Sequence, residues 1–184
     1  MSAVTTDKTT TTWKIDPAHS AAEFKVKHMM ITNVKGQFTG LSGAITLDEA
    51  DITKSKVEAN IDAASVDTRN ADRDTHLKSA DFFDVDKFPT LTFVSTKVSS
   101  KASDELSVEG DLTIHGVTRK VTFQAEGPSP ATKDPWGNTR LGISATTKIN
   151  RKDFGLTWNS TLEAGGLLVG DEVTITLDVQ AIQA

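Results

Sequence analysis

The sequence predicts an all-β fold, a closed antiparallel barrel of about eight strands with one short α-helix near residues 70–79. Three observations lead to this prediction. Apolar and polar residues alternate with period two through most of the 184 residues, which is the pattern of half-buried strands. Helical periodicity is confined to 70–79. Several strands are long and change the face that carries their apolar residues, which favours a barrel over a flat sheet.

The first half of the chain contains the irregular strands. A short run near 13–16 is followed by a clean alternation over 22–30. In the segment 34–47 the apolar residues change from even to odd positions beside Gly40, which predicts a β-bulge that bends the strand there. The run 57–61 predicts a strand with a second irregularity after it, near Ala63 and Ala64.

The second half of the chain contains more regular strands. His115-Gly116 predicts a hairpin turn between two of them. The charged segment 150–153 predicts a turn held by ion pairs. The alternating runs cover 91–98, 106–114, 121–125, 141–149 and 173–181.

Composition argues against several classes of function. The net charge is −5, whereas a protein that binds nucleic acid needs a basic surface. The sequence has no cysteine, which excludes disulfides and thiolate chemistry, and no run of about 20 apolar residues that could cross a bilayer. Its four histidines lack the spacing of a metal site. Without a Gly-x-Ser-x-Gly elbow or a glycine-rich phosphate loop, the chain is expected to be neither an enzyme nor a cofactor-binding protein.

Residues 1–12 predict a disordered polar tail, because they are rich in threonine and contain no apolar core. Residues 13–184 are then expected to form one domain. The tail also lacks the apolar stretch of a secretory signal peptide, so the chain is expected in the cytoplasm. If Met1 is not the natural start, the periplasm becomes the expected location.

The expected function depends on whether the interior of the barrel is filled or empty. A barrel of eight strands either is filled by its own side chains or holds one slender ligand. Strands of about ten residues, tilted by roughly 40°, would make a barrel about 25 Å tall, along which a lipid chain could lie. Small residues on the inner face favour a cavity, unless they oppose large side chains across the barrel. These small residues are Gly36, Gly43, Ala44, Ala59 and Ala145.

Short motifs follow one another in a specific order along the chain. Together they make residues 13–181 resemble the YceI-like family, also called the polyisoprenoid-binding or lipid-binding YceI-like domain. The motifs are Trp13-Lys14-Ile15-Asp16-Pro17-Ala18-His19-Ser20, Phe24-Lys25-Val26-Lys27-His28, Gly36-Gln37-Phe38, Ser65-Val66-Asp67-Thr68, Arg73-Asp74, His76-Leu77, Asp81-Phe82-Phe83-Asp84, Phe88-Pro89, Gly110-Asp111-Leu112-Thr113-Ile114-His115-Gly116-Val117-Thr118, Asn150-Arg151-Lys152-Asp153-Phe154-Gly155 and Val169-Gly170-Asp171.

The resemblance implies an extended lipocalin-like, eight-stranded antiparallel barrel with a helix near the middle of the chain. It implies an elongated apolar pocket and a non-enzymatic protein that often forms a homodimer. Many relatives are exported with a signal peptide, from which this sequence departs. We therefore expect the chain to carry, store or buffer a long-chain amphiphile such as a polyisoprenoid, an isoprenoid quinone or a fatty-acid derivative.

Apolar residues of the inner face and of the helical insert are the expected ligand contacts, because the inward side chains of a hollow barrel face its contents. Each of them could equally be ordinary core. The candidates are Phe24, Val26, Phe38, Ala59, Phe82, Phe83, Phe88, Phe93, Leu112, Ile114, Phe123, Ile143, Ala145 and Phe154.

Five polar residues are candidates for contact with a lipid head group. His19 and Ser20 could instead cap a turn by bonding to the backbone. Arg73 and His76 could present a guanidinium and an imidazole to a ligand oxygen, or they could dock the helix on the barrel. His28 could be a buried histidine whose hydrogen bonds are satisfied within the protein.

Two other functions stay open at this point. One is a stress-related structural protein whose barrel is filled by side chains. The other is a lipid-modifying hydrolase or isomerase in which His76 or His19 acts as the base.

Overall fold

A computed structural model describes residues 9–184. Its strand segments all belong to one antiparallel sheet that closes on itself. Four short 3-10 helices interrupt the sheet, at Pro17–His19, Ile52–Lys54, Ala63–Ser65 and Arg151–Phe154. The segments are β1 (Thr10–Ile15), β2 (Ala21–His28), β3 (Thr32–Phe38), β4 (Leu41–Asp48), β5 (Lys56–Asp62), β6 (Val66–Asp67), β7 (Thr90–Ser100), β8 (Glu105–Ile114), β9 (Val117–Glu126), β10 (Thr132–Lys133), β11 (Thr139–Asn150) and β12 (Val169–Gln183), with the helix α1 (Ala71–Lys78).

Three pairs of segments each form one interrupted strand. β1 and β2 both pair antiparallel with β12, so they run in the same direction on either side of a 3-10 turn. β3 continues into β4, and β5 into β6, in the same way. With β7, β8, β9, β11 and β12 they make eight strands, each paired with its neighbour along the chain, and β12 closes the ring onto β1 and β2. The predicted eight-stranded antiparallel barrel is confirmed.

The strand irregularities predicted near Gly40 and Ala63 are both present, and they lie side by side. β3 ends at Phe38, and the amide of Gly40 then donates a hydrogen bond to Oγ of Ser65 at 2.9 Å. Ser65 belongs to the 3-10 turn that interrupts the next strand. Because the two breaks face each other, neighbouring strands bend together at this point of the wall.

The helix α1 occupies 71–78, within the predicted range. Asn70 caps its start by accepting a hydrogen bond from the amide of Arg73 at 3.0 Å. The buried Thr68 ties the helix to the barrel, because its amide and hydroxyl donate to the carboxylate of Asp74 at 2.9 and 2.6 Å. No residue of α1 is fully buried, so polar contacts rather than a broad apolar face hold it. Within 9–184 no helix is both long enough and apolar enough to cross a membrane.

The predicted disordered tail, 1–12, extends too far into the domain. β1 begins at Thr10, which pairs with Asp48 of β4. The prediction was wrong for the last three residues because it considered only apolar content, whereas threonine favours strands and a neighbouring strand supplies backbone partners here. Residues 1–8 lie outside the described residues, and for them disorder stays a prediction.

Arg140 of β11 joins three parts of the chain at one end of the barrel. Its Nη1 donates to Oδ2 of Asp16 at 2.6 Å and to Oε1 of Gln180 at 2.8 Å, while its Nε donates to Oδ2 of Asp134 at 2.6 Å. Arg140, and then the hydrogen bond with His19, lowers the pKa of Asp16 to about 2. The same guanidinium holds the pKa of Asp134 below its ordinary range.

We expect this cluster to make the protein sensitive to acid. A carboxylate whose pKa is lowered by folding contributes its full stabilisation above the unfolded pKa, here 3.8, and loses it as the pH falls toward the folded value of about 2. Melts followed by circular dichroism across this interval should show Asp16→Asn to be less stable than wild type near neutral pH. The variant should also lose stability less steeply in acid. An unchanged acid slope in the variant would contradict this assignment.

Candidate functional site

A cavity of about 380 Å³ lies inside the barrel. All eight strands contribute apolar side chains to its wall, because alternate residues of each strand point inward. The last strand shows this most regularly, with Val173, Ile175, Leu177 and Val179 all facing the cavity. The volume is within the range of sites for small ligands. The interior is therefore not filled by side chains, which is at odds with the filled-barrel alternative.

Twelve of the fourteen apolar candidates line this cavity. That they contact a ligand stays a prediction. The twelve are Phe24, Val26, Phe38, Ala59, Phe82, Phe83, Phe93, Leu112, Ile114, Phe123, Ile143 and Ala145.

Phe88 and Phe154 do not line the cavity, and these two predictions are corrected. The ring of Phe88 packs on the His115-Gly116 turn, 4.9 Å from the imidazole centroid, and takes the space that a side chain at position 116 would need. Phe154 is fully buried in the 3-10 helix Arg151–Phe154, outside the strands. Both residues are apolar as expected, but they lie at turns, where the alternation of apolar and polar residues does not predict the direction of a side chain.

The small residues of the inner face act in two ways. Ala59 and Ala145 line the cavity and leave it open, as predicted. Gly36 does not, because the ring of Phe24 occupies the place where its Cβ would be. Gly43 lies against the backbone of Glu58, so it permits a close approach of two strands rather than free space.

Three of the five polar candidates line the cavity: His28, Arg73 and His76. Nε and Nη2 of Arg73 donate to the hydroxyl and carbonyl of Thr68 at 2.7 and 2.9 Å, so the helix-docking interpretation of Arg73 is correct. Its Nη1 makes no hydrogen bond to any residue of 9–184. Within the same part of the chain His28 is half-buried and has no hydrogen-bond partner, so it is not the satisfied histidine of the alternative interpretation.

His76 lies among aromatic rings at the same end of the cavity. Its Nε2 is hydrogen-bonded to Oδ2 of Asp81 at 2.9 Å. The imidazole meets Trp158 edge-on at a centroid distance of 4.7 Å and Phe82 at 5.1 Å. Trp158 lines the cavity and was missed by the sequence reasoning, since it lies outside the strands, where no periodicity marks it.

His19 and Ser20 do not line the cavity, and the turn-cap interpretation, bonding to the backbone, is correct for Ser20. The Oγ of Ser20 donates to the carbonyl of Gln180 at 3.1 Å and accepts from its amide at 3.0 Å. His19 is exposed and bonds through Nδ1 to Asp16 at 2.8 Å. Ser20 therefore fastens the junction of β1 and β2 to β12, whereas the bond of His19 lies within that junction.

Arg151 organises the loop between β11 and β12. It is only 3% exposed, and it donates to the carbonyls of Gly170, Leu156 and Trp158 at 2.8, 2.6 and 2.9 Å. A longer bond of 3.3 Å reaches the carbonyl of Val169. Burial lowers the pKa of this guanidinium, against the opposing effect of Asp171. The charged turn with ion pairs predicted here is present, since Lys152 pairs with Asp171 at 3.3 Å. In addition, Arg151 is a buried anchor for the backbone beside the cavity.

The arrangement suits binding better than metal chemistry. Within 9–184 no three His, Asp or Glu residues lie close enough to hold a metal ion. The polar side chains that line the cavity near α1 stand opposite a long apolar wall. A molecule with one polar end and a long apolar chain has this distribution of polarity.

Known proteins are similar to this chain in sequence and in fold. The model of the YceI-like domain matches residues 13–181. A UPF0312 protein of Vibrio cholerae is 43% identical over 139 residues, which cover 76% of this chain and 73% of that protein.

Two solved structures extend the comparison. The YCEI protein of Campylobacter jejuni superposes with a TM-score of 0.73 at 34% identity, over 87% of this chain and 91% of that one. A polyisoprenoid-binding domain from Saccharophagus degradans superposes with a TM-score of 0.67 at 17% identity, over 94% and 98% of the two chains. At that identity the second likeness concerns the fold alone.

Proposed function

This chain is a member of the YceI-like family, and on that premise we propose that it binds one long-chain apolar lipid inside its barrel without transforming it. The observation that carries the proposal is the apolar cavity of about 380 Å³, whose wall is drawn from every strand. The polyisoprenoid-binding domain that shares the fold supports the same class of ligand. Polyisoprenoids, isoprenoid quinones and fatty-acid derivatives all fit this description.

The energetics of such binding depend on a preformed cavity. Each buried methylene contributes about 0.8 kcal/mol, so ten contribute about 8 kcal/mol. The loss of translational and rotational freedom costs about 4–15 kcal/mol, and ordering of loops or of the protein interior would add to it. Every strand of this barrel is hydrogen-bonded to both of its neighbours, so the wall of the cavity is already ordered before binding. Most of that additional cost is therefore avoided. Affinity should therefore rise with chain length until the cavity is full.

We place the lipid head group at the end of the cavity near α1. His28 and Nη1 of Arg73 line the cavity there and have no hydrogen-bond partner within the described residues. Neither group is fully shielded from solvent, so each is available to form a hydrogen bond with a ligand or with water. A hydroxyl, a carbonyl or a phosphate oxygen at the head of the lipid would accept from Nη1.

Native mass spectrometry after detergent-free purification tests this function. We expect the protein to carry one additional molecule whose mass, after release into organic solvent, is that of a polyprenyl, quinone or fatty-acyl lipid. Extraction should yield an apo form that regains the mass on incubation with the released lipid. A protein that carries no lipid, and that does not take up any of these classes when they are supplied, would contradict the proposal.

The same spectra test the enzymatic alternative. His19 does not line the cavity, and His76, which does, is hydrogen-bonded to Asp81. A hydrolase or isomerase would change the bound lipid over time, and this change would be lost in His76→Ala. We expect the lipid to be recovered unaltered. The homodimer and the cytoplasmic location expected from the sequence stay predictions.

A further inference from the structure

We propose that the hairpin between β2 and β3 docks the protein on a bilayer surface that contains anionic lipids. The docking element is the apolar tip, which consists of Met29, Met30, Ile31 and Leu167. The inference rests on the proposed function and deepens it, because it names a membrane leaflet as the source or destination of the lipid.

The apolar tip is exposed to an unusual degree. The exposed fractions of Met29, Met30 and Ile31 are 41%, 68% and 73%, and that of Leu167 in the neighbouring loop is 41%. The alternation over 22–30 predicted that Met30 would continue the inner face of a strand, but β2 ends at His28 and the chain turns. Four large apolar side chains in one place form a patch of the kind that marks a contact surface.

Folding alone does not explain methionines in this turn. Met29 and Met30 have φ values of 53° and 58°, a backbone region that glycine and asparagine adopt far more easily. The His115-Gly116 turn, which also has positive φ values at both positions, places a glycine at its second position and packs under Phe88. The apolar tip has neither glycine nor asparagine at these two positions, so its methionines adopt a backbone conformation that is unfavourable for them. A contact made outside the chain would account for their presence.

The apolar tip adjoins the cavity. The amide of Met29 donates to the carbonyl of Leu168 at 2.7 Å, which holds the hairpin against the loop that contains Leu167. Three residues next to the tip in the chain line the cavity. His28 precedes Met29, and Leu168 and Val169 follow Leu167. A leaflet in contact with the apolar tip would lie beside the polar end of the cavity.

Cationic side chains surround the base of the hairpin. Lys25, Lys27 and Lys35 are exposed on its outer face, and none of them forms an ion pair within the described residues. Lys25 and Lys35 are direct partners across β2 and β3, an arrangement of like charges that weakens a sheet. Two carboxylates, Glu23 and Asp67, lie further from the tip, at the level of Gln37, and the nearby loop contributes Glu163. On a chain whose net charge is −5, this local excess of positive charge is complementary to anionic head groups.

Sedimentation with vesicles tests the proposal on the purified, full-length protein. Vesicles of phosphatidylcholine alone are compared with vesicles in which a quarter of the lipid is phosphatidylglycerol. We expect wild type to bind the anionic vesicles, and high salt to weaken this binding. The double variant Met30→Ser/Ile31→Ser should bind them about tenfold less or weaker still. Lys25→Gln/Lys35→Gln should lose the preference for anionic vesicles.

A matched control lies at the far end of the barrel. Trp136 is 81% exposed in the turn after β10, so Trp136→Ser removes an equally exposed apolar side chain from a different place. We expect Trp136→Ser to bind vesicles as wild type does. Equal binding by wild type and the Met30→Ser/Ile31→Ser variant, or no binding by wild type, would overturn the proposal.

A second measurement separates docking from lipid binding in the cavity. Dansyl-labelled farnesol added without vesicles reports on the cavity alone, and the Met30→Ser/Ile31→Ser variant should take it up with unchanged affinity. If wild type takes up neither this probe nor any of the lipid classes supplied in the mass-spectrometry test, the proposed function fails independently of the docking result. If light scattering shows that wild type is a dimer that the double variant dissociates, without any change in vesicle binding, the apolar tip is a self-association surface and the docking proposal is wrong.

Discussion

Ala145→Trp is expected to abolish lipid binding while the barrel stays folded. Ala145 faces the cavity from β11, between its cross-strand partners Ala125 and Leu177. An indole at this position would displace several methylenes of a bound chain. Loss of four buried methylenes costs about 3 kcal/mol, or roughly a hundredfold in affinity. Because free volume already exists beside Ala145, the cost to folding should stay within the about 1–3 kcal/mol of an overpacked core.

Titration with dansyl-labelled farnesol measures the loss of affinity, and urea denaturation measures stability. Ser144→Trp is the matched control, because Ser144 is the exposed neighbour of Ala145 on the outer face of the same strand. This control should bind lipid as wild type does. If Ala145→Trp also unfolds the protein, the interior is less open than the cavity indicates; if it binds normally, the ligand lies elsewhere.

Arg151→Met is expected to lower the free energy of unfolding by about 3 kcal/mol or more, since each buried carbonyl left without a partner costs about 1–3 kcal/mol. The guanidinium donates hydrogen bonds to four backbone carbonyls, those of Leu156, Trp158, Val169 and Gly170. Methionine has a similar length but no donor, so the carbonyls of Leu156, Trp158 and Gly170 would lose this hydrogen bond, whereas that of Val169 keeps the one from Asn159. A buried acceptor without a partner carries its full desolvation penalty. The loop beside the cavity should loosen as well, with a weaker grip on the lipid.

Equilibrium denaturation in urea measures this change. Lys152→Met is the control at the next position, where the side chain is exposed and pairs with Asp171 at 3.3 Å. Such a surface pair contributes at most about 1 kcal/mol. Arg151→Lys keeps the charge but not the forked geometry, and its stability should lie between those of wild type and Arg151→Met. A loss for Arg151→Met as small as for Lys152→Met would show that water replaces the guanidinium at these carbonyls.

The strands and the helix were predictable because their signals are local. Alternation over residues such as Val173 and Ile175 specifies which face of a strand is buried, whatever the partner strand is. The change of face beside Gly40 indicated the bend in the same way. The helix was recognisable because helical periodicity is confined to 70–79.

The predictions failed where a residue's role depends on a distant part of the chain. Thr10 became part of a strand because Asp48 of β4 lies beside it. Phe88 turned away from the cavity because Gly116 offered it space. Trp158 reached the cavity through a loop that Arg151 holds in place, and no periodicity marks such a loop.

The sequence by itself determined that this protein is a barrel with an apolar inner face, since that property depends only on which alternate side chains are apolar. Only the tertiary structure decided that the barrel is hollow. Free volume is the small difference between the space enclosed by eight strands and the volume of all inward side chains, and packing across the barrel sets it. Phe24 over Gly36 consumes such space, whereas Ala145 between Ala125 and Leu177 leaves it open.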